Sequence, residues 1–442
     1  MHRRLLFAAA ALLAILAPRA HAQDPEGVRI GLQYQPGTKP GIVVLPVAGA
    51  AGDSIRAILE RDFDMGNRIN VIGAGGQGLA IPPAAGGRLN YPLYARLGAT
   101  GIVQVTAAAG GGVTVQVHDV TRQAVARTRD FPLPAGMSSD WRLALHAVSD
   151  EVERWVTGTR GIAASRIAYT NAGRIRIVDM DGHPVMNVGG DGIAMSATFH
   201  PTGRFVAYGL LQDDGMRIVV HDLRTNSGRI VSHTRRGTNT TPVFSPDGNN
   251  LAYSVADEGG MDLYMSPAFN DGPLRRMTVS RGRVSTQPSF SPNGRQLAFM
   301  TDRLGGPAIY VSGIDGSNPE QLVQYRAGDT QYHASPSWSP DGLRIAYASR
   351  MAGGRFQLMS VALRDRGVRQ HTSDGSNEDP SWAPDGRHLV FTSTRGGARQ
   401  LWVLDTESGR MRQLTRDAGA RLAEWSGHLG PVTSPADEAG SR

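Results

Sequence analysis

Cysteine is absent from this sequence of 442 residues. The absence excludes disulfide bridges, cysteine-ligated metal sites and catalytic thiols. The fold must therefore be held by its own apolar core. A chain of this length can bury such a core, and we expect it to be divided between two domains.

The sequence also lacks an apolar run long enough to span a bilayer, which needs about 20 residues. The longest candidate covers residues 5–17. It follows a short basic start and precedes Ala20-His21-Ala22, a small-residue pattern typical of a cleavage site. We expect residues 1–22 to be a secretory signal peptide, and the product to be exported without a membrane span.

No block of lysine or arginine is present, although the formal net charge is +7. Part of this charge belongs to the predicted signal peptide, and the remaining excess is mild and spread along the chain. Nucleic-acid binding is therefore not indicated, because it requires basic residues concentrated on one surface.

Known catalytic signatures are missing as well, since the sequence contains neither G-x-S-x-G nor H-E-x-x-H. Residues 73–78 do match G-x-G-x-x-G. However, two prolines and another glycine pair follow within residues 82–87, which leaves no room for the helix that would hold a dinucleotide phosphate. With 55 glycines in the chain, chance matches are expected. We interpret the segment as a surface loop and predict no enzyme activity and no cofactor.

A metal site is not predicted either. Asp179 and Asp181 form an acidic turn, but Asp-Gly is also an ordinary way to end a strand. The histidines lack the spacing of metal ligands. A cation bound in the channel described below remains an open alternative.

The main positive feature is an internal repeat with a period of about 45 residues. Each full copy has an aromatic residue, a Pro-x-Gly turn that reads Ser-Pro-Asp-Gly in two of the five full copies, and then a strand pattern that ends in Ala or Val and a second aromatic residue. Proline and glycine at these turn positions predict a hairpin, and two more strand patterns follow. Four strands in each repeat are typical of one blade of a β-propeller. The leading aromatic residues are Phe199, Phe244, Phe290, Trp338, Trp382 and Trp425.

The first and last copies are incomplete in complementary ways. The stretch at residues 166–170 matches a second strand without its turn, and Trp425 begins a first strand that has no successor. We expect residues 423–430 to pair with residues 166–170 and to close a ring, which also removes exposed sheet edges. Residues 161–430 are therefore predicted to form an all-β, six-bladed β-propeller, with the leading aromatic residues packed between blades. Residues 431–442 are predicted to be a disordered tail.

Residues 23–160 lack the repeat and predict a small N-terminal α/β domain. Buried-type strand patterns occur at residues 41–46, 101–105 and 113–117. Helical spacing follows Asp53 and Asp140, which we expect to be the N-caps of two helices. The chain is therefore expected to have two domains, the α/β domain first and the propeller second.

The order of these parts resembles the TolB family of the Tol–Pal system. The most specific stretch is residues 146–169, which reads H-x-x-x-D-E-V, then T-G-x-x-G, then S-R-I-A-Y. The resemblance covers nearly all of the mature chain. It implies a periplasmic, non-enzymatic protein that supports outer-membrane integrity and invagination during cell division. The implied partners are a Pal-like outer-membrane lipoprotein and a TolA-like inner-membrane-anchored protein, and we expect a monomer.

The predicted Pal-binding residues lie at one rim of the propeller channel. In four copies a further proline stands two residues before the leading aromatic residue. The residue before this proline enters the innermost strand there. Small polar side chains at a funnel can accept a partner's loop. The alternative for some of them is an ordinary solvated loop residue. The resemblance adds a threonine one position earlier, where we expect arginine to weaken partner capture without unfolding the ring. The predicted residues are Ser196, Thr241, Thr286, Gln287, Ser335 and Asp379, with Leu422 at the equivalent position of the last repeat.

The predicted TolA-binding segment is Val28-Arg29-Ile30, which matches a V-R-I sequence of the family. An extended segment of this kind can add a strand to a partner's sheet, and the alternative is an internal edge strand. A second functional hypothesis also stays open. In it, the channel of a secreted, non-enzymatic propeller binds a small ligand or a carbohydrate.

Overall fold

The computed structural model describes residues 38–73, 88–231, 238–270, 272–323 and 329–430. The predicted signal peptide, the Val28-Arg29-Ile30 segment and the predicted tail lie outside the described residues, as does the glycine-rich stretch from residue 74 to residue 87. Among the helices that are described, none is long and apolar enough to cross a membrane.

The described part of the leading region contains one sheet and three helices. Its elements are β1 (Gly41–Val44), α1 (Gly52–Gly66), β2 (Asn70–Val71), α2 (Tyr91–Arg96), β3 (Gly101–Ala107), β4 (Val113–Asp119), β5 (Ala124–Phe131) and α3 (Ser139–Thr157). The sheet order is β2-β1-β3-β4-β5, and β1 runs parallel to both of its neighbours. Helices α1 and α3 bury their apolar sides in one cluster with the sheet, which includes Leu59, Phe63, Val103, Leu145 and Val152.

Both predicted helix caps are wrong by two positions. Helix α3 is capped by Ser138, whose side chain accepts a hydrogen bond from the backbone N–H of Trp141 at 3.2 Å. Asp140 lies in the first turn instead. Helix α1 follows Ala51 without a side-chain cap, and Asp53 is again a first-turn residue. Carboxylates in a first turn are favoured by the helix dipole, so the acids correctly marked where each helix begins but not which residue caps it.

The rest of the described chain consists of short strands: β6 (Arg166–Asn171), β7 (Arg174–Asp179), β8 (Pro184–Val188), β9 (Ile193–Phe199), β10 (Phe205–Gln212), β11 (Gly215–Asp222), β12 (Ser227–Ile230), β13 (Thr238–Phe244), β14 (Asn250–Asp257), β15 (Gly260–Pro267), β16 (Arg275–Arg276), β17 (Ser285–Phe290), β18 (Gln296–Thr301), β19 (Ala308–Gly313), β20 (Glu320–Gln321), β21 (Asp329–Trp338), β22 (Arg344–Met351), β23 (Phe356–Ala362), β24 (Val368–Gln370), β25 (Asn377–Trp382), β26 (His388–Ser393), β27 (Gln400–Asp405), β28 (Met411–Gln413) and β29 (Arg421–Trp425).

These strands form antiparallel sets of four. Three sets follow chain order, β17 to β20, β21 to β24 and β25 to β28. The sets β9 to β12 and β13 to β16 are joined into one eight-stranded sheet by the parallel pair of Met216 with Thr238. The last set has the order β29-β6-β7-β8, in which Trp425 pairs with Ile167. The final described strand of the chain is therefore the first strand of the sheet that begins the repeat.

The leading aromatic residues pack between neighbouring sheets, as the sequence predicts. All six are buried, with exposed fractions between 4% and 8%. Trp382, for example, packs in one cluster with Leu358 of the preceding sheet and Phe391 of its own. Truncating a buried aromatic residue of this kind costs about 3–5 kcal/mol, so these contacts contribute strongly to holding adjacent sheets together.

Buried polar contacts connect α3 to the strands that follow. The carboxylate of Asp150 accepts hydrogen bonds at 2.6 and 3.1 Å from two backbone N–H groups of the segment that leads into β6. Arg68 bridges Glu153 at 3.4 Å and Asp385, just before β26, at 3.0 Å. The leading region and the sheets are therefore joined by ion pairs and hydrogen bonds out of reach of bulk water.

Candidate functional site

A cavity of about 490 Å³ lies where β9, β13, β17, β21, β25 and β29 meet. We call it the first-strand cavity, because each of these elements is the first strand of its set of four. Prolines, aromatic residues and small polar side chains line it. Its volume is in the range of sites that hold a small molecule or a few residues of a partner.

Five of the six predicted Pal-binding residues line this cavity together with Leu422. Each side chain is partly exposed, and each residue stands three positions before the buried aromatic residue of its repeat. The structure thus brings together residues that are spread over more than 180 positions of sequence. They are Ser196, Thr241, Gln287, Ser335 and Asp379.

Thr286 is placed differently from the others. It does not line the cavity, and it is buried, with an exposed fraction of 8%. Its hydroxyl lies 2.9 Å from the hydroxyl of Ser254 and 3.4 Å from that of Thr241. The expectation that Thr286 stands at an open rim is therefore corrected, since an arginine there would have to enter packed structure. A contact between Thr286 and a partner stays a prediction.

The six lining residues at this repeat position share an unusual backbone conformation. Their φ angles lie between +48° and +55°, the left-handed region that residues other than glycine seldom adopt. The pairing of each first strand with its neighbour shifts register at this point, as between Thr240 and Val243 or between Glu378 and Ser381. An extra residue of this kind is a β-bulge. Strained conformations of non-glycine residues cluster at functional sites, so their repetition around one cavity marks it as the candidate site.

Hydrogen bonds link these residues from one sheet to the next. Thr241 Oγ1 accepts the backbone N–H of Gln287 at 3.3 Å, and Gln287 Oε1 accepts that of Ser335 at 2.8 Å. The Ser335 hydroxyl donates to Asp379 at 3.2 Å, and Asp379 accepts the backbone N–H of Leu422. This series of hydrogen bonds ends at Leu422, because a leucine side chain has no hydrogen-bond acceptor.

A second series of lining residues was missed by the sequence reasoning. It stands two positions further along each first strand, directly before the aromatic residue. Ser289, Ser337 and Ser381 accept the backbone N–H of the aromatic residue of the next sheet, at 3.0 to 3.3 Å. Period-two alternation was the available signal, since residues two apart on a strand face the same side. The members are Thr198, Val243, Ser289, Ser337, Ser381 and Glu424.

The cavity is acidic. Of the described residues that line it, Asp379 and Glu424 carry carboxyl groups, His428 is the one basic side chain, and no lysine or arginine is present. Burial raises the pKa of Glu424 to about 7 and also raises that of Asp379. Burial and nearby Arg160 lower the pKa of His428 to about 4, so this imidazole is neutral at pH 7. Any charge on the lining side chains at neutral pH is therefore negative.

The acidic turn considered as a cation site is occupied by ion pairs. His146, Asp179 and Asp181 lie close enough to ligate a metal. However, Arg142 contacts Asp179 at 3.2 Å and Asp181 at 2.8 Å. Although burial opposes its charge, the carboxylate of Asp62 at 2.8 Å raises the pKa of His146 to about 10. A protonated imidazole does not ligate a metal, so we interpret the cluster as part of the packing between α1, α3 and β7.

A small leading region followed by antiparallel four-stranded sets around a common cavity defines the class of β-propeller proteins. Within that class, the family model described as TolB beta propeller domain matches residues 153–429. The chain belongs to the TolB family.

Relatives and solved structures agree with this assignment. The Tol-Pal system protein TolB of Gluconobacter oxydans is 30% identical over 358 residues, which cover 78% of this chain and 75% of that protein. The protein of the same name from Alcanivorax borkumensis is 28% identical, and the match covers 49% of this chain and about half, 52%, of that protein. The crystal structure of TolB from Acinetobacter baumannii matches with a TM-score of 0.76 at 23% identity, over 88% of this chain and 97% of that one, which shows the same fold.

Proposed function

We propose that this chain is a periplasmic, non-enzymatic component of the Tol–Pal system whose first-strand cavity docks a Pal-like outer-membrane lipoprotein. The observation that carries the proposal is the ring of left-handed residues around one open cavity, in a chain of the TolB family. In this proposal the protein serves outer-membrane integrity and invagination during cell division.

The proposal includes a domain division. We infer that residues 23–160 form an α/β domain and residues 161–430 a six-bladed propeller, in which the eight-stranded sheet counts as two blades. The pairing of β29 with β6 supports this count, because it completes the first set of four strands.

The chemistry of the cavity supports binding rather than catalysis. The hydroxyls of Ser289 and Ser337 accept hydrogen bonds from backbone N–H groups of the next sheet. A nucleophilic serine needs a general base as its partner instead. These two hydroxyls are therefore part of the structure that shapes the cavity. Ser381 accepts such a bond too, and its hydroxyl also donates to Glu424 at 3.3 Å.

The contact with a TolA-like protein is proposed on sequence grounds alone. The segment Val28-Arg29-Ile30 precedes β1 and lies outside the described residues. Its support is the match to the V-R-I sequence of the family, and strand addition to a partner sheet is the expected mode of binding.

A cavity of about 490 Å³ also suits a small ligand or a carbohydrate, which is the second candidate function. The two proposals differ in which molecule binds in the cavity. If a sugar fragment is the physiological occupant, it should bind to the free protein and the lipoprotein should not.

A substitution at Ser335 tests the docking proposal. Ser335 lines the cavity and is partly exposed, so arginine there adds bulk and charge at the surface of the site. We expect Ser335→Arg to weaken binding of the soluble domain of the Pal-like lipoprotein at least tenfold, measured by calorimetry with the mature chain.

The matched control is Ser373→Arg, the same change at an exposed serine outside the cavity. Its affinity should stay within twofold of the parent, and circular dichroism should show both variants folded. A folded Ser335→Arg protein with unchanged affinity would overturn the site assignment.

A further inference from the structure

The first-strand cavity is not uniform around its circumference. From Thr241 to Leu422, each left-handed position is linked to the next by a side-chain hydrogen bond. The links on both sides of Ser196, from Leu422 and to Thr241, are missing among the described residues, where no side-chain hydrogen bond of Ser196 is found. We call this part of the wall the open sector.

Glu424 lies in the open sector. It is on the same strand as Leu422, two positions away, and both residues line the cavity. Its carboxyl group accepts hydrogen bonds from the hydroxyls of Ser381, at 3.3 Å, and Thr198. No lysine or arginine is among the described lining residues, so neutral donors are its partners there.

We propose that the segment which docks in the first-strand cavity places a lysine or arginine side chain in the open sector, with its aliphatic stem against Leu422 and its charge at Glu424. The inference rests on the proposed function and adds the chemistry of the partner to it. An apolar side chain next to a carboxylate suits these two residues, because both combine a long apolar stem with a cationic end.

Charge complementarity is the argument for a cation instead of a neutral donor. A docking segment removes water from the cavity, and a carboxylate that loses water without gaining a positive charge is strongly disfavoured. The other titratable groups that line the cavity do not supply that charge. Asp379 is acidic, and the lowered pKa of His428 keeps its imidazole neutral at pH 7.

The first test is removal of the charge. We expect Glu424→Gln to weaken binding of the Pal-like lipoprotein at least tenfold at low salt, and to flatten the dependence of affinity on salt concentration. The matched control is Glu258→Gln, the same change at an exposed residue of the turn between β14 and β15, which should stay within twofold of the parent.

The second test is the proton balance of binding. With a pKa of about 7, Glu424 is about half protonated at pH 7 in the free protein, and a neighbouring cation lowers that pKa. Binding should therefore release up to about half a proton for each complex formed, measured by calorimetry in buffers of different ionisation enthalpy. Glu424→Gln should abolish the release.

The outcomes separate the two proposals. The inference is overturned, and the docking function stands, if the parent protein binds the lipoprotein but takes up protons. The same holds if the Glu424→Gln variant binds the lipoprotein as tightly as the parent protein does. If the parent protein does not bind the lipoprotein at all, both are overturned.

Discussion

At the scale of single residues, sequence reasoning found the wall of the cavity but not its conformation. The position three residues before each leading aromatic residue is visible in the sequence, and all six residues chosen with it line the cavity. The left-handed φ angles were not predictable, because no glycine marks them. Thr286 came from the family resemblance, and it is buried instead of lining the cavity, because neighbouring residues of a strand face opposite sides.

The turn glycines offer a matched comparison at this scale. Gly248 and Gly294 occupy equivalent turns with φ angles of +74° and +67°. A Cβ at Gly294 would meet only Pro246, at 3.7 Å, whereas a Cβ at Gly248 would lie 2.1 Å from the imidazole of His200, the residue that replaces serine in the first full repeat. His200 cannot move freely, because its ring packs edge-on against Phe244, with centroids 5.1 Å apart.

We therefore predict that Gly248→Ala destabilises the protein more than Gly294→Ala does. Gly294→Ala should cost about 1–2 kcal/mol from backbone strain alone, and Gly248→Ala about 1–3 kcal/mol more from overpacking. Denaturant unfolding of both variants measures the difference. Equal free energies of unfolding would show that His200 adapts.

At the scale of elements, the sheets were predictable and the links between them were not. A repeated aromatic residue, followed in five copies by a Pro-x-Gly turn, predicts the sets of strands, and the burial of the aromatic residues confirms how the sets pack. The serine series on the first strands escaped notice, because serine before an aromatic residue has no strong preference for any structure by itself. Its role depends on a backbone N–H of the next sheet, which local sequence does not show.

Ser289 tests that role. Its hydroxyl accepts the backbone N–H of Trp338 at 3.0 Å, a bond between two sheets. We predict that Ser289→Ala lowers the free energy of unfolding by about 1–2 kcal/mol, since a backbone donor near the core loses its partner. Ser373→Ala, at an exposed serine, should change it by less than about 0.5 kcal/mol. Equal values for the two variants would contradict a structural role for the serine series.

At the scale of the whole molecule, the join between the leading region and the sheets is sensitive to pH. Burial raises the pKa of Asp150 to about 7 and that of Glu153 to about 8, despite Arg68 beside Glu153. The unfolded chain ionises these groups near pH 4, so the folded state is penalised increasingly as the pH rises from there to about 8. The raised pKa of His146, about 10, adds stability below pH 6.5 that is lost as the pH rises through 10. The pairing of α3 with distant strands that creates these shifts is long-range and was not visible in the sequence.

Thermal unfolding should therefore shift to lower temperature between pH 6 and pH 10. We predict that Glu153→Gln reduces this shift, because glutamine keeps the shape of the side chain and cannot ionise, while Arg68 retains Asp385 as a partner. Scanning calorimetry across this pH range measures the effect, with Glu258→Gln as the exposed control. A profile for Glu153→Gln that runs parallel to that of the parent would contradict a raised pKa at Glu153.

The position of β29 beside β6 has a consequence for biosynthesis. The hydrogen-bonding edge of β6 is made by residues 166–171, but the strand that covers it is synthesised only after some 250 further residues. A polypeptide cut short anywhere before Arg421 keeps that edge bare, and bare edges invite aggregation and proteolysis. A chain that lacks β29 cannot cover this edge, and we expect it to be lost to aggregation or proteolysis. Only a chain that extends through Trp425 can complete the pairing.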